Sequence, residues 1–439
     1  MRAIRSPRRL YDLEEEIGST ALIFSKNPGG TMFRVLVADK LPQAALDQLS
    51  EMGCVVTSEP SLKGAFLTEK IAQVQPEVLV VRSTRVTADD FAASGALSLV
   101  VRAGAGVNTI ALSSASGMGV YVANCPGKNA VAVAELAWAH ILNADRRVAD
   151  GVSDLRDGVW KKKVYSKEAR GLKGRVLGIV GLGAIGREVA SRGQAFEMTV
   201  VAFDPALTRD GADELGVSKA DSLCELASRS DVVTVHVGLN EHTRGMLDAA
   251  FFDALPPNAI FVNTSRGPVV DEQALSKAIR EKSVRAGLDV FCDEPASDGE
   301  WNSDLVALPG VYGTHHIGAS TDQAQEAVAL EACRVIAAYA NTGNPPNCVN
   351  LARQTPATHL LVVRHRDEVG VLSGVLGVLK EASINVQNME NNIFSAGASG
   401  ERAACARIQM IGSPSEPLLE QLKKQETIFE VKLILLEEQ

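Results

Sequence analysis

Val176-Leu-Gly-Ile-Val180 runs directly into Gly181-Leu-Gly183-Ala184-Ile185-Gly186, and a helical stretch over 184–195 follows. An apolar strand, a glycine turn and a helix are the parts of a dinucleotide-binding βαβ unit. Gly181 permits the tight turn, Gly183 lets the backbone approach a pyrophosphate, and Gly186 allows the helix to pack on its strand. The helix opening at Ala184 and Ile185 offers free N–H groups and a positive dipole end. Asp204, in Val201-Ala-Phe-Asp-Pro205, ends the next strand 23 residues after Gly181. A carboxylate there accepts hydrogen bonds from ribose hydroxyls and repels a 2′-phosphate, which selects NAD over NADP. Among 37 glycines the spacing alone is a weak signal; the strand and helix around it give it weight.

Working outward, apolar runs at 33–38, 54–57, 78–82, 98–101, 119–122, 175–180, 199–203, 231–236, 259–263 and 285–290 read as strands. Helical stretches such as 129–147, 184–195 and 320–341 lie between or beyond them. Nearly continuous apolar strands separated by helices indicate buried parallel sheets, so the fold class is α/β with two doubly wound domains. Asn341-Thr-Gly-Asn-Pro-Pro346 and Gln354-Thr-Pro-Ala357 read as a linker, because consecutive prolines stop a helix. Beyond it, strands at 359–365, 403–411 and 427–436 and helices at 370–382 and 416–424 complete a ferredoxin-like α+β domain.

Composition narrows the class. A chain of 439 residues exceeds one core of roughly 250–300 residues. With 46% hydrophobic and 22% charged residues it is not a mainly disordered chain. A net charge of −9 disfavours nucleic acid, and no apolar run of about 18 residues suggests a membrane span. Seven scattered cysteines without a Cys-x-x-Cys pair suggest buried, reduced thiols in a cytoplasmic protein, with no metal site and no disulfide scaffold. Residues 1–31 mix arginines with Glu14-Glu15-Glu16 and read as an N-terminal extension, disordered or upstream of the true start, rather than a targeting segment.

Three polar residues follow apolar strands: Arg266 in Asn263-Thr-Ser-Arg-Gly267, Glu294 in Asp289-Val-Phe-Cys-Asp-Glu-Pro295, and His316 in Thr314-His-His-Ile-Gly318. Interconverting an alcohol and a ketone needs a hydride acceptor, a proton acceptor and a cation for an anionic substrate. A histidine held by a carboxylate suits the proton, and an arginine fork suits a carboxylate. Each residue alone has a dull explanation as a surface charge, a loop acid or a capping group. His140, His236 and His242 read as helix or loop residues with no catalytic carboxylate partner.

Taken in order, these segments resemble the D-isomer-specific 2-hydroxyacid dehydrogenases across roughly residues 33–345. The resemblance implies that Arg266 orients the substrate carboxylate and carbonyl, that His316 is the acid/base, and that Glu294 holds His316. It places Thr264, Ser265, Arg266, Asp289, His316 and Gly318 on the nicotinamide side of the cofactor. It also implies a split substrate domain (32–108 and 318–353) around an inserted NAD domain (109–317), followed by a regulatory domain over 357–439. Two departures stand out. His315 occupies the place of the family's proline, and His236-Val-Gly-Leu239 replaces a proline-containing loop, which is expected to loosen it.

Val81-Arg-Ser-Thr-Arg-Val86 and Arg102-Ala-Gly-Ala-Gly-Val-Asn108 resemble the substrate loops of members that oxidise D-3-phosphoglycerate. Arg82, Ser83, Arg85, Gly104, Gly106 and Asn108, with Arg266, then form the substrate site. His365-Arg-Asp-Glu-Val-Gly-Val-Leu372 and Ser383-Ile-Asn-Val386 resemble an ACT domain, with Val369 in place of a proline and Asp367 in place of an asparagine. The implied reaction is NAD-dependent oxidation of D-3-phosphoglycerate to 3-phosphooxypyruvate, opening L-serine synthesis, in a homo-oligomer (dimer or tetramer). L-Serine would act allosterically at His365, Asp367 and Asn385. The alternative is a hydroxypyruvate or glyoxylate reductase, which needs no phosphate site.

Overall fold

The computed structural model describes residues 33–295, 299–352, 354–395 and 402–436. The expected N-terminal extension, residues 1–31, lies outside them. Five parallel strands form the first sheet: β1 (Arg34–Val37), β2 (Val55–Ser58), β3 (Val78–Val81), β4 (Leu99–Arg102) and β5 (Tyr121–Asn124), in the order β2-β1-β3-β4-β5. Their side chains alternate between two cores. Val35, Val37, Val80 and Val101 face the helix Asp322–Thr342, and Leu36, Leu79, Val81 and Val100 face the other side. Residues after that helix return to this lobe: Val349 N–H donates to Val122 O (2.8 Å) and Asn350 Oδ1 accepts from Val122 N–H (2.8 Å). The expected first boundary at residue 108 is corrected by β5, which pairs with β4 and carries this sheet to Asn124. A four-residue apolar strand carries no sign of which sheet it will join.

Seven parallel strands form the second sheet: β6 (Val176–Val180), β7 (Thr199–Phe203), β8 (Ser218–Lys219), β9 (Val232–Val235), β10 (Ile260–Asn263), β11 (Arg285–Leu288) and β12 (Val311–Gly313). Their order, β12-β11-β10-β9-β6-β7-β8, reverses direction between β6 and β9, which opens a crevice at the carboxyl ends of those strands. The strands β8 and β12 were not expected, since two or three residues carry no periodic pattern. Helices Val148–Arg156 and Lys162–Glu168 were likewise missed. One face packs Phe251, Phe252 and Phe261 edge-on, with ring centroids 5.1 to 6.3 Å apart. Phe261 is fully buried, so Phe261→Ala is expected to cost about 3–5 kcal/mol, read as a lowered urea midpoint. A shift below about 1 kcal/mol would mean that the neighbouring rings close the cavity.

Leu351 begins a second compact unit, six residues earlier than expected. It holds β13 (His359–Arg366), β14 (Asn385–Ile393), β15 (Ala403–Ile411) and β16 (Ile428–Leu435), all antiparallel, in the order β14-β15-β13-β16. Alternate residues Leu361, Val363, Ala406, Ile408 and Met410 pack against Val375, Leu379 and Leu422 of its two helices, which is the ferredoxin-like arrangement. All seven cysteines are free thiols; Cys125 and Cys333 are buried as expected, whereas Cys224 and Cys292 are exposed. Among the described residues, no helix is long and apolar enough to cross a membrane.

Candidate active site

Each functional side chain leaves the carboxyl end of a parallel strand, where neighbouring loops converge. Beyond β10, buried Asn263 braces the turn: its Oδ1 accepts the N–H (2.9 Å) and hydroxyl (2.7 Å) of Ser265, and its amide donates to Arg266 O (3.0 Å). Arg266 Nη1 donates to Ser265 O at 2.6 Å. A Cβ on Gly106 would lie 2.3 Å from Arg266 Nη2, so the absent side chain at 106 leaves the guanidinium room beside the 104–108 loop. Burial lowers the pKa of Arg266, and the charge of Glu294 opposes that shift.

His316 lies beyond β12 with φ +53°, a left-handed conformation that is uncommon for a side-chain-bearing residue. Asp289 holds it there. The N–H of His316 donates to Asp289 O (2.8 Å), that of Ile317 to Oδ1 (2.9 Å), and that of Gly318 to Oδ2 (2.8 Å). The ring Nδ1 is 2.7 Å from Glu294 Oε2, while Glu294 Oε1 accepts the Phe291 N–H at 2.9 Å. Burial would raise the Glu294 carboxyl, but hydrogen bonds from His316 and Phe291 and the charges of His316 and Arg266 outweigh it and hold the pKa low. An ionised carboxylate only accepts, so Nδ1 carries the proton and Nε2 presents a lone pair. Of the two adjacent histidines, both exposed, it is His316 that meets the carboxylate of Glu294.

On the opposite wall, Asp39 beyond β1 gathers the 82–84 loop. Its Oδ2 accepts the N–H groups of Arg82 (2.6 Å), Ser83 (3.0 Å) and Thr84 (2.9 Å), and its Oδ1 accepts the Ser83 hydroxyl (2.9 Å). Ser83 therefore spends both donors on Asp39. Arg82 Nη1 donates to Gln325 Oε1 at 3.0 Å, and Arg85 and Asn108 are exposed. Arg102 was missed as a site residue, although it closes β4. Its guanidinium folds over Gly104, and its Nε is buried with no hydrogen-bond partner. Burial and the nearby Arg266 and Arg82 push its pKa down to about 10.

The cofactor side fits NAD. Gly181 has φ +89°, and a Cβ there would lie 2.7 Å from His236 O; one on Gly186 would lie 2.2 Å from Gly181 O. Gly183 faces open space ahead of the 184–195 helix, so the free N–H groups of its first turn, at Ala184 and Ile185, are accessible to an anion. Asp204 is half-buried, accepts the Leu182 and Ala206 N–H groups at 2.9 Å, and keeps further lone pairs for hydroxyls. Thr264 and Ser265 are buried beside Arg266, with the Thr264 hydroxyl lacking a partner. The 236–239 loop, expected to be loose, is tied by the Thr243 hydroxyl donating to Gly238 O at 2.6 Å.

In the second unit, His365 is buried, with Nδ1 2.7 Å from Arg366 O and Nε2 3.1 Å from Asn391 Oδ1. Strand register aligns His365 with Ala404 and Ile393, whereas Asn385 pairs with Ile411 at the far end of the sheet. One chain therefore does not bring Asn385 together with His365 and Asp367. Strand periodicity alone cannot reveal this, because it fixes faces and not ends.

The sequence matches the model of the D-isomer specific 2-hydroxyacid dehydrogenase NAD binding domain over residues 138–318. It is 38% identical over 298 residues to D-3-phosphoglycerate dehydrogenase of Methanocaldococcus jannaschii, covering 67% of this chain and 55% of that one. It is 39% identical over 301 residues to hydroxypyruvate reductase of Thermotoga maritima, covering 68% of this chain and 95% of that one. The chain thus spans little more than half of the first relative. Among solved structures, TT0316 protein from Thermus thermophilus superposes with a TM-score of 0.63 at 33% identity, over 72% of this chain and 99% of that one.

Proposed function

The chain belongs to the D-isomer-specific 2-hydroxyacid dehydrogenase family, and from that premise we propose that it oxidises D-3-phosphoglycerate to 3-phosphooxypyruvate with NAD, opening L-serine synthesis in the cytoplasm. The observation that carries this reading is the placement of Arg102 near both Arg82 and Arg266, with Arg266 in turn near Glu294 of the His316–Glu294 pair. One carboxylate satisfies the Arg266 fork. Two further guanidiniums, Arg82 bonded to Gln325 and Arg102 with a buried Nε that lacks a partner, suit a second anion, and a phosphate supplies it.

In the forward direction Arg266 grips the carboxylate and sets the face of the alcohol carbon. His316 Nε2 takes the hydroxyl proton, and Glu294 stabilises the imidazolium that forms. Bound NAD supplies hydride acceptance at that carbon. Closure of the two lobes brings Arg82 and Arg102 onto the phosphate and excludes water.

A substrate panel tests this. Arg102→Met is expected to lower kcat/KM for D-3-phosphoglycerate by about tenfold or more, since hydrogen bonds to charged groups contribute about 1.5–3 kcal/mol. Unphosphorylated hydroxyacids should change by no more than about threefold. The hydroxypyruvate reductase relative favours a second reading, that of a hydroxypyruvate or glyoxylate reductase. Faster turnover of those acids, indifferent to Arg102, would establish it instead.

Homo-oligomerisation is part of the proposal, supported by exposed Trp160, Leu155 and Val148 on the nucleotide lobe and by Phe394 and Phe429 on the C-terminal unit. A serine site of His365, Asp367 and Asn385 then requires two chains, because those residues sit at opposite ends of one sheet. Turnover of the full chain that ignores millimolar serine would remove the regulatory part.

A further inference from the structure

We propose that His140 is a positioning residue for the acid–base histidine, acting through Thr314 and Asp289. The proposal rests on the reading of His316 as the acid–base group. His140 lies on the helix Ala130–Arg146 and is 4% exposed, packed against β11 at Gly287. A Cβ on Gly287 would lie 2.5 Å from His140 Cβ and 2.9 Å from Cγ, so the glycine makes room for the imidazole. His140 Nε2 is 3.0 Å from Thr314 Oγ1, and Thr314 Oγ1 is 2.6 Å from Asp289 Oδ1.

Counting protons fixes the direction of this chain. The hydroxyl has one proton and the carboxylate only accepts, so Thr314 donates to Asp289 and its oxygen receives the Nε2–H of His140. Burial favours the neutral ring, against the pull of the Asp289 charge. The Asp289 carboxylate in turn receives the N–H groups of Ile317 and Gly318, and its backbone carbonyl receives that of His316. The left-handed backbone of His316 persists only while its surroundings enforce it. His140 locks the Thr314 rotor, the rotor orients the Asp289 carboxylate, and the carboxylate fixes the loop that aims the His316 ring. None of these three side chains needs to touch the substrate.

The test uses the full chain, NAD and whichever hydroxyacid it turns over fastest. His140→Leu keeps the bulk and removes the donor. Its kcat is expected to fall roughly tenfold, as misplacement of a reacting group does, with both KM values within about twofold. His140→Gln places an amide N–H near the lost Nε2–H and should recover most of that fall. Thr314→Val should match His140→Leu, and the double variant should be no slower than Thr314→Val alone, because the two act in series. His316→Ala, measured in parallel, separates the two readings: substantial turnover by that variant would overturn the acid–base assignment itself. With His316→Ala inactive, wild-type kcat in His140→Leu, no recovery in His140→Gln, or multiplied losses in the double variant would each overturn the role of His140. Should His140→Leu fail to fold, Thr314→Val and His140→Gln decide alone: loss in the first with near-normal kcat in the second supports the chain of bonds, and any other pair of results refutes it.

Discussion

His316→Ala is expected to lower kcat by about two to four orders of magnitude, the range typical of a lost general base. The ring is half-exposed, with 46% of its side chain accessible, so its removal should disturb packing little, and NADH binding followed by fluorescence should stay near that of the parent. The loss falls on the chemical step, because only Nε2 of this imidazole is free to receive the hydroxyl proton while Nδ1 is engaged by Glu294 at 2.7 Å. Turnover within tenfold of the parent would show that the proton leaves by another route. Acidification gives a second check. A carboxyl with a lowered pKa stays ionised until the pH drops below the ordinary carboxylate range, and the ion pair is lost only there. Activity lost at higher pH therefore reports a group other than Glu294.

The second large effect is expected at Arg266. Truncating one member of a buried, hydrogen-bonded charge pair costs about 2–5 kcal/mol, so Arg266→Ala should reduce kcat/KM by roughly 30- to several-thousand-fold. Arg266→Lys keeps the charge but loses the planar fork, and it should recover less than about a tenth of the parent value. The backbone around the residue predicts the same sensitivity from another direction: a methyl at Gly106 would meet Nη2 at 2.3 Å, so Gly106→Ala should displace the guanidinium and imitate the lysine variant. Steady-state kinetics across the three variants checks the order. Equal kcat/KM in the parent and Arg266→Ala would place the substrate carboxylate elsewhere.

Much of this molecule is legible in one dimension. Val176–Val180 followed by Gly181, Gly183 and Gly186 defines a strand, a turn and a helix, because each glycine answers a local demand: a positive φ, an approach to open space, a contact with backbone. The apolar strands and the α+β tail follow from side-chain periodicity, which depends only on near neighbours. Arg266, Glu294 and His316 stood out as residue types after apolar runs, and the structure brings Glu294 onto His316 beside Arg266.

What the tertiary structure alone decided concerns groups far apart in sequence. Asp39 organises residues 82–84, Arg102 joins Arg82 and Arg266, β5 pairs into the first sheet, and Asn385 lies at the wrong end of its strand to meet His365. His140, read in sequence as a plain helix residue, proves to be bonded to Thr314, 174 positions away and two residues before His316. The sequence by itself determined the elements, the cofactor turn and the chemical character of the site, since local sterics and burial set these. Strand order and hydrogen-bond partners depend on which parallel strands become neighbours, and no local pattern carries that information.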